Sequence, residues 1–137
     1  MIKFDDEKIL LLHQMIIESS GGRDGIRDFN LIDSAINGLY QTYDGVELYP
    51  TKEEKGARLG YSLISNHAFV DGNKRVGLLS MLSFLSINGL KLNYTDDELI
   101  DLGLSLADGK IKYQDLLNWI KNHEIKINAE ENMFIKD

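Results

Sequence analysis

The spacing of apolar residues along the chain predicts a protein built almost entirely from helices. Apolar side chains recur at intervals of three and four residues through six segments, and the chain contains one proline. These segments cover residues 6–18, 28–39, 51–66, 73–88, 95–108 and 113–122. Asp5 or Asp6 can cap the first segment, and Thr51 and Thr95 each stand three residues before a glutamate, as in a capping box. We therefore predict an all-α fold, a compact helical bundle.

Two segments depart from the ordinary amphipathic pattern. Residues 73–88 are apolar around most of the helix circumference, which predicts a central, buried helix. Between residues 40 and 50 the helical spacing stops, and Asp44 and Gly45 form a turn dipeptide beside β-prone residues. This predicts a loop or a small β-hairpin, which we call the flap.

Length and composition narrow the class of protein. A chain of 137 residues is predicted to form one domain, and its 43% hydrophobic and 27% charged residues are ordinary for a protein folded in water. No cysteine is present, which excludes disulfides and cysteine chemistry and fits a reducing cytoplasm. Neither a signal-peptide pattern nor a membrane-spanning stretch is recognisable. A net charge of −7 argues against broad binding to nucleic acid or anionic membranes.

Against this acidic background, residues 67–75 gather reactive and cationic groups beside one turn. Gly72 permits a positive φ, and the backbone N–H groups from about Gly72 to Arg75 are predicted to form an anion-binding nest at the start of the central helix. Asn73 belongs to this nest, and Lys74 and Arg75 add positive charge. We predict a phosphate-binding site here.

Two further residues suggest what happens to the phosphate. Asp71 has the wrong sign for phosphate unless a cation lies between them, so it is a candidate Mg²⁺ ligand. His67 can accept a proton from an attacking hydroxyl near neutral pH. A base, a metal ligand and an anion nest together indicate phosphoryl or nucleotidyl transfer.

Each of these residues also has a plainer interpretation. A single histidine is more often a surface or satisfied core residue, and this is what we expect of His13 and His123. Asp71 alone could cap the helix, and the glycine and cations alone could be a turn with solvated charges. Cations are unfavourable at a helix N-terminus, which favours an anionic partner. A zinc site has no support, since no further His or Cys cluster is present. The coincidence within nine residues therefore carries the prediction.

The motif resembles the signature of the Fic/Doc superfamily, and specifically of its Doc (death-on-curing) branch. Seven positions match, namely His67, Phe69, Asp71, Gly72, Asn73, Lys74 and Arg75. Weaker similarity lies in residues 25–28, 31–35, 48–51, 88–90 and 115–120. The resemblance covers about residues 5–123. We therefore assign residues 1–123 to a Fic/Doc-like domain and leave residues 124–137 outside it as a C-terminal tail.

The resemblance implies a toxin of a toxin–antitoxin module that transfers the γ-phosphate of ATP to a hydroxyl of a protein, with elongation factor Tu as the best-known target. It implies ATP as substrate and Mg²⁺ as cofactor. His67 would be the base, Asp71 the Mg²⁺ ligand, and Asn73, Lys74 and Arg75 the phosphate contacts. An antitoxin would inhibit by folding a disordered segment onto the toxin. The flap, through Tyr43, Leu48 and Tyr49, could bind the target by strand addition.

Departures from the wider family separate two reactions. Fic adenylyltransferases usually carry Gly where Lys74 stands and a second Arg where Leu78 stands. We interpret this difference as favouring γ-phosphoryl transfer over AMP transfer, which stays the alternative. A non-catalytic, antitoxin-binding domain is the third possibility, and the intact His67 argues against it. No internal inhibitory motif is found, because Ile127 occupies its Ser/Thr position, so inhibition in trans is expected.

Overall fold

Six α-helices, one 3₁₀ turn and one two-stranded hairpin make up the regular structure of the described residues. The structure is a computed structural model and describes residues 1–107 and 109–125. In chain order the elements are α1 (Asp6–Ser20), α2 (Phe29–Asn37), the 3₁₀ turn (Gly38–Tyr40), β1 (Thr42–Tyr43), β2 (Val46–Glu47), α3 (Lys52–Asn66), α4 (Asn73–Ile87), α5 (Asp96–Ala107) and α6 (Tyr113–His123). The predicted all-α fold with a small flap is confirmed.

The predicted helix starts coincide with observed caps. The Asp5 carboxylate accepts the backbone N–H of Lys8 at 2.8 Å and caps α1. Before α5, the Thr95 hydroxyl accepts the N–H of Glu98 at 3.1 Å, and the Glu98 carboxylate accepts the N–H of Thr95 at 3.2 Å. This reciprocal pair is the capping box that the sequence indicated.

The antiparallel pair α3 and α4 is the centre of the molecule. The two helices approach closely where Gly60 faces Gly77. A Cβ atom added at Gly77 would lie 2.5 Å from Cγ1 of Ile64 and 3.1 Å from the carbonyl oxygen of Gly60. The glycine that weakens the start of α4 is therefore required by helix packing.

Helix α4 is buried on one side and partly exposed on the other. The side that faces α1 and α3 is buried through Val76, Gly77, Ser80, Met81, Phe84 and Leu85. The remaining leucines, Leu78, Leu79 and Leu82, are only partly buried. The predicted central position is correct, but burial around most of the circumference is not, because Leu78, Leu79 and Leu82 each line an open pocket at the surface.

The flap is a minimal hairpin with a two-residue turn. Its strands pair antiparallel, with Tyr43 opposite Val46. Asp44 and Gly45 at the turn have φ values of 52° and 77°. Positive φ at both turn residues matches the right-handed twist of the strands, which is why Asp-Gly is favoured there.

The chain beyond α6 begins by pairing with the segment between α4 and α5. Asn93 donates its N–H to the carbonyl of His123 at 2.7 Å, and Ile125 donates to the carbonyl of Lys91 at 2.9 Å. Residues 126–137, most of the predicted C-terminal tail, lie outside the described residues, and the domain boundary at residue 123 stays a prediction. Within the described part of the chain, no helix has the length and apolar character needed to cross a membrane.

Candidate active site

The motif loop connects α3 to α4 and begins at a histidine in a left-handed conformation. His67 has φ 53° and ψ 50° and its side chain is exposed. Such a backbone costs a non-glycine residue on the order of 1–3 kcal/mol and persists only where neighbours hold it. Arg27 does so, donating from Nε to the carbonyl of His67 at 2.6 Å and from Nη2 to the carbonyl of Asn66 at 2.8 Å. The imidazole therefore projects from a fixed backbone.

The connection between α1 and α2 runs antiparallel to the motif loop. Val70 donates its N–H to the carbonyl of Gly25 at 3.0 Å, and Arg27 donates to the carbonyl of Ala68 at 2.7 Å. Gly25 has φ 133°, and a Cβ atom there would lie 3.1 Å from the Val70 side chain. Residues 25–28, which the sequence marked only by a weaker resemblance, thus support the motif loop.

His13, on α1, contacts the middle of the motif loop. It is buried, its ring stacks on Phe69 with centroids 3.8 Å apart and planes 9° apart, and its Nε2 donates to the carbonyl of Asp71 at 2.7 Å. The expectation of a satisfied core histidine is correct, but its role in holding the motif was missed. Its spacing from Ile9 and Ile16 on the buried face of α1 was the available signal.

Asp71 is held as a carboxylate at the edge of the nest. Its two oxygens accept the backbone N–H groups of Arg23 at 3.1 Å and Gly72 at 2.8 Å. These hydrogen bonds, with the nearby Arg75 and Arg23 side chains, hold the pKa of Asp71 below its ordinary value of 3.8. The group is therefore ionised at neutral pH. It does not cap α4, since the N-cap residue is Gly72 and no side chain bonds there.

The predicted nest is present but one donor smaller than expected. Gly72 has φ 80°, as its predicted role requires, yet its own N–H is used by Asp71. The first helical hydrogen bond runs from Val76 to the carbonyl of Gly72 at 2.9 Å. Among the described residues, none accepts a hydrogen bond from the N–H groups at positions 73–75. Three aligned donors at the positive end of α4 remain for an anion.

The side chain of Asn73 is engaged within the loop. Its Nδ2 donates to the carbonyl of Phe69 and its Oδ1 accepts the N–H of Phe69, both at 3.0 Å. This pair closes the loop against the start of α4. What Asn73 offers to a phosphate is therefore its backbone N–H, and its predicted role as a phosphate contact applies to that group.

The cations differ in how firmly they are held. Arg75 donates from Nη1 to the hydroxyl of Ser20 at 2.6 Å and to the carbonyl of Gly21 at 2.9 Å, which ties its guanidinium to the end of α1. Lys74 is exposed and makes no ion pair within 4 Å among the described residues. Arg23, beside Asp71, is a third cation that the sequence did not single out. Arg75 offers a fixed charge and Lys74 a movable one.

The polar side of the motif lines one open cleft of about 500 Å³. Its lining residues are His67, Val70, Asp71, Gly72, Asn73, Lys74, Arg75, Leu78, Ile100, Gly103 and Leu104. One wall is therefore the polar motif and the other is an apolar face of α5. Ile100 and Leu104 are 57% and 62% exposed, one turn apart. This second wall was missed, although α5 carries more apolar residues than a single buried face needs.

Comparison with known proteins decides the family. The sequence model of the Fic/DOC family matches residues 3–85, which is more than half of the chain. The chain belongs to the Fic/Doc family. Its similarity to two proteins named Doc indicates the Doc branch. Six of the seven motif residues thus line one cleft of this fold, and the seventh, Phe69, is buried beneath it.

The two relatives cover different shares of the chain. The protein named Toxin Doc from Mycolicibacterium smegmatis is 44% identical over 72 residues, which are 53% of this chain and 55% of that protein. The protein named Protein kinase doc from Escherichia phage P1 is 30% identical over 115 residues, which are 84% of this chain and 90% of that protein. The chain therefore spans about half the length of the first relative and most of the second.

The flap of this Fic/Doc chain does not line the cleft. Tyr43 is 77% exposed and Leu48 is also exposed, while Tyr49 packs edge-to-face on Tyr113 with centroids 5.5 Å apart. Buried Lys55 near the start of α3 donates to the carbonyl of Tyr49 and forms an ion pair with Glu47 of the flap. His67 follows the other end of this 15-residue helix, about 20 Å away along its axis. The target-docking role of the flap stays a prediction.

The donor set near Asp71 suits a divalent cation that also binds phosphate. Each carboxylate oxygen of Asp71 accepts one hydrogen bond and keeps a further lone pair, and the group faces the cleft. No cluster of three or more metal-ligating side chains occurs among the described residues. Mg²⁺ commonly takes one or two carboxylates and completes its shell with water and substrate phosphate. One carboxylate beside an anion nest fits that pattern.

Proposed function

We propose that this chain is a Doc-like toxin that transfers the γ-phosphate of ATP to a hydroxyl of a protein target. The observation that carries the proposal is the cleft itself. An exposed His67, an ionised Asp71 and the three N–H donors at the start of α4 border the same space. These are the base, the metal ligand and the anion nest that phosphoryl transfer requires.

The choice of γ-phosphoryl over AMP transfer rests on two side chains in the cleft. Lys74 contributes charge beside the nest, and Leu78, one turn further along α4, contributes none. The positive charge of the cleft is therefore concentrated at the nest, and the surface next to it at Leu78 is apolar. This arrangement favours binding of the terminal phosphate at the nest, with the rest of the nucleotide towards α5. The name of the phage relative, Protein kinase doc, is in keeping with this reaction.

In the proposed reaction, the target hydroxyl attacks the γ-phosphorus while the His67 imidazole accepts its proton. The bond between the γ-phosphorus and the bridging oxygen breaks, and ADP leaves. The N–H groups at positions 73–75, with Lys74 and Arg75, stabilise the negative charge on the transferred group. Asp71 would hold Mg²⁺, which neutralises charge on the phosphate oxygens when bound. The restrained backbone of His67 fixes the base without reorganisation.

The partners follow from the same assignment. The mycobacterial relative is named Toxin Doc, and toxins of this branch are neutralised by an antitoxin, so we propose a cognate antitoxin that inhibits in trans. We propose elongation factor Tu, in the cytoplasm, as the first target to test. A target segment that reached both the flap and His67 would span about 20 Å, or about six extended residues.

Labelling with two forms of ATP tests the reaction. A bacterial lysate is incubated with the protein, Mg²⁺ and ATP labelled at either the α or the γ position. Label on a protein from the γ position only is the expected result. Label from the α position would contradict kinase action and favour the alternative, AMP transfer. Loss of labelling in His67→Ala, with retention in His123→Gln as the matched histidine control, would link the reaction to the cleft.

Growth arrest tests the third possibility, a non-catalytic antitoxin-binding domain. Expression of the wild-type protein should arrest bacterial growth, and expression of His67→Ala should not. Equal growth arrest by both proteins, without protein labelling from α-labelled or γ-labelled ATP, would exclude His67-dependent catalysis as the toxic activity.

A further inference from the structure

A groove separate from the cleft runs along the outer side of α3. It has a volume of about 310 Å³ and lies between α3 and α2. Its α3 wall is a stripe at helical spacing made of Arg58, Tyr61, Ser62, Ser65 and Asn66. The stripe begins near the flap, since the Arg58 guanidinium lies 5.5 Å from the Tyr49 ring centroid. It ends at Asn66, the residue directly before His67. The groove therefore extends from the neighbourhood of the flap to the residue before His67, the proposed base.

The groove contains a cation without an anionic partner. Nε of Arg58 is buried and has no hydrogen-bond partner within residues 1–107 and 109–125. No ion pair of Arg58 within 4 Å occurs among the described residues. Glu54, one turn earlier on α3, instead accepts the hydroxyl of Thr51 at 2.8 Å. The Arg58 side chain is partly exposed where it lines the groove, so the outer part of its guanidinium is accessible to an anion.

The remaining lining of the groove suits an extended polypeptide with an acidic side chain. The lining residues include hydroxyl groups and no Asp or Glu, although the whole chain has a net charge of −7. At the far end, Arg27 binds the carbonyls of Asn66 and His67. A carboxylate in the groove would meet Arg58 in a bidentate geometry and a hydroxyl beside it.

We propose that the α2–α3 groove binds an acidic segment of the target protein and delivers its hydroxyl to His67. The identity of the acceptor group, a hydroxyl, rests on the proposed function. The binding of an acidic segment rests on the groove alone. Arg58 and Asn66 are eight residues apart, which is about 12 Å along the helix. An extended segment advances about 3.3 Å per residue. The target therefore carries a carboxylate three to five residues from the modified hydroxyl, always on the same side.

A binding measurement tests the groove without requiring catalysis. Fluorescent 13-residue peptides carry a central Thr and a single Glu, which is placed in turn at each of the remaining positions. Each peptide is titrated with the full-length His67→Ala protein. The expected result is tighter binding when Glu lies three to five residues from Thr on one side, by about tenfold over the matched Gln peptides. Uniform affinity across the peptide series would overturn the proposal.

Charge reversal assigns the effect to the groove. In Arg58→Glu the preference for Glu should disappear, and a peptide with Lys at the same position should bind better instead. Because that variant alters a partly buried side chain, Ser65→Glu provides a second test that leaves Arg58 intact and adds a carboxylate at an exposed position of the groove. Lys121→Glu, an exposed reversal on α6, is the matched control and should bind like the parent protein. An unchanged Glu preference in both groove variants would contradict the proposal.

The outcome is separable from that of the reaction. If the wild-type protein transfers AMP instead of phosphate, the proposed function fails while the peptide preference persists. If γ-label is transferred and Arg58→Glu retains the KM of the wild type for the protein target, the groove proposal fails while the proposed function stands. Support for the groove is a rise in KM for the target in Arg58→Glu of about tenfold with an unchanged KM for ATP.

Discussion

Replacement of Gly77 by Ala is the sharpest test of how helix packing positions the cleft. Gly77 lies in the first turns of α4, where that helix crosses α3. An added Cβ atom would lie 2.5 Å from Cγ1 of Ile64, 3.2 Å from its Cδ1, and 3.1 Å from the carbonyl oxygen of Gly60. Contacts below 3.0 Å between such atoms require something to move. A β-branched residue in a helix has essentially one χ1 rotamer, and a backbone oxygen moves only with its helix. The two helices must therefore separate.

The expected cost follows from two opposing effects. Overpacking of a filled core typically costs about 1–3 kcal/mol. Replacing glycine by alanine inside a helix stabilises by about 1 kcal/mol. Since neither neighbour of Gly77 can turn aside, we expect the upper part of the overpacking range and a net loss of about 1–2 kcal/mol in the free energy of unfolding. For a chain of this size, this lowers the Tm by roughly 3–8 °C.

Thermal and urea unfolding of Gly77→Ala and Gly103→Ala provide the assay and its control. Gly103 is also helical, but a Cβ atom there meets only Leu78 at 3.9 Å, an ordinary contact. Gly103→Ala should therefore stabilise by about 0.5–1 kcal/mol. Opposite signs for the two variants are expected. A Gly77→Ala protein at least as stable as the wild type would refute the packing argument, because it would mean that α3 and α4 can separate without loss.

Three further predictions concern single groups. Gly72→Ala puts a side chain at φ 80° and should cost about 1–2 kcal/mol, whereas Asn tolerates that region better, so urea unfolding should rank glycine above asparagine above alanine. For His123, burial opposes the charged form, but its hydrogen bond to Trp119 and the Glu98 carboxylate outweigh it and raise the pKa above 6.5. A raised pKa means that its stabilisation is complete below the ordinary pKa of 6.5 and is lost as the pH rises through the higher folded-state pKa. The stability difference from His123→Gln should therefore shrink as the pH rises above about 6.5, and a constant difference would contradict this. Because the pKa of Asp71 is lowered, Asp71→Asn removes a charge that is present at neutral pH. We expect this variant to retain the fold by circular dichroism and to lose most of its Mg²⁺-dependent ATP turnover. Full ATP turnover would exclude a role of Asp71 as metal ligand.

Local sequence signals were sufficient for most of the fold. Helix starts depend on side chains within three residues of the cap, as at Asp5 and Thr95, so they can be recognised without tertiary information. The positive φ of Gly72 and the hairpin turn at Asp44 and Gly45 follow from the same kind of short-range preference. The motif residues 67–75 are also close in sequence, so their presence in one site was predictable.

Long-range contacts could not be predicted in the same way. His13 is far from Asp71 in sequence, and only the packing of α1 beneath the loop brings its ring to the Asp71 carbonyl. The hydrogen bond from the Arg23 N–H to Asp71 and the restraint of His67 by Arg27 depend on how the chain between α1 and α2 lies on the motif. These contacts depend on relative helix positions, which no local preference determines.

The amino-acid sequence alone determined the secondary structure and the chemistry available at the motif, because both depend on residue types and short spacings. The tertiary structure alone decided which apolar face completes the cleft, through Ile100 and Leu104. It also decided that Arg58 lines a groove between α2 and α3 together with Asn66, the residue before His67. The physical reason is that burial and helix crossing are set by the sum of many weak contacts across the whole chain, whereas a cap, a turn or a nest is set by a few strong ones nearby.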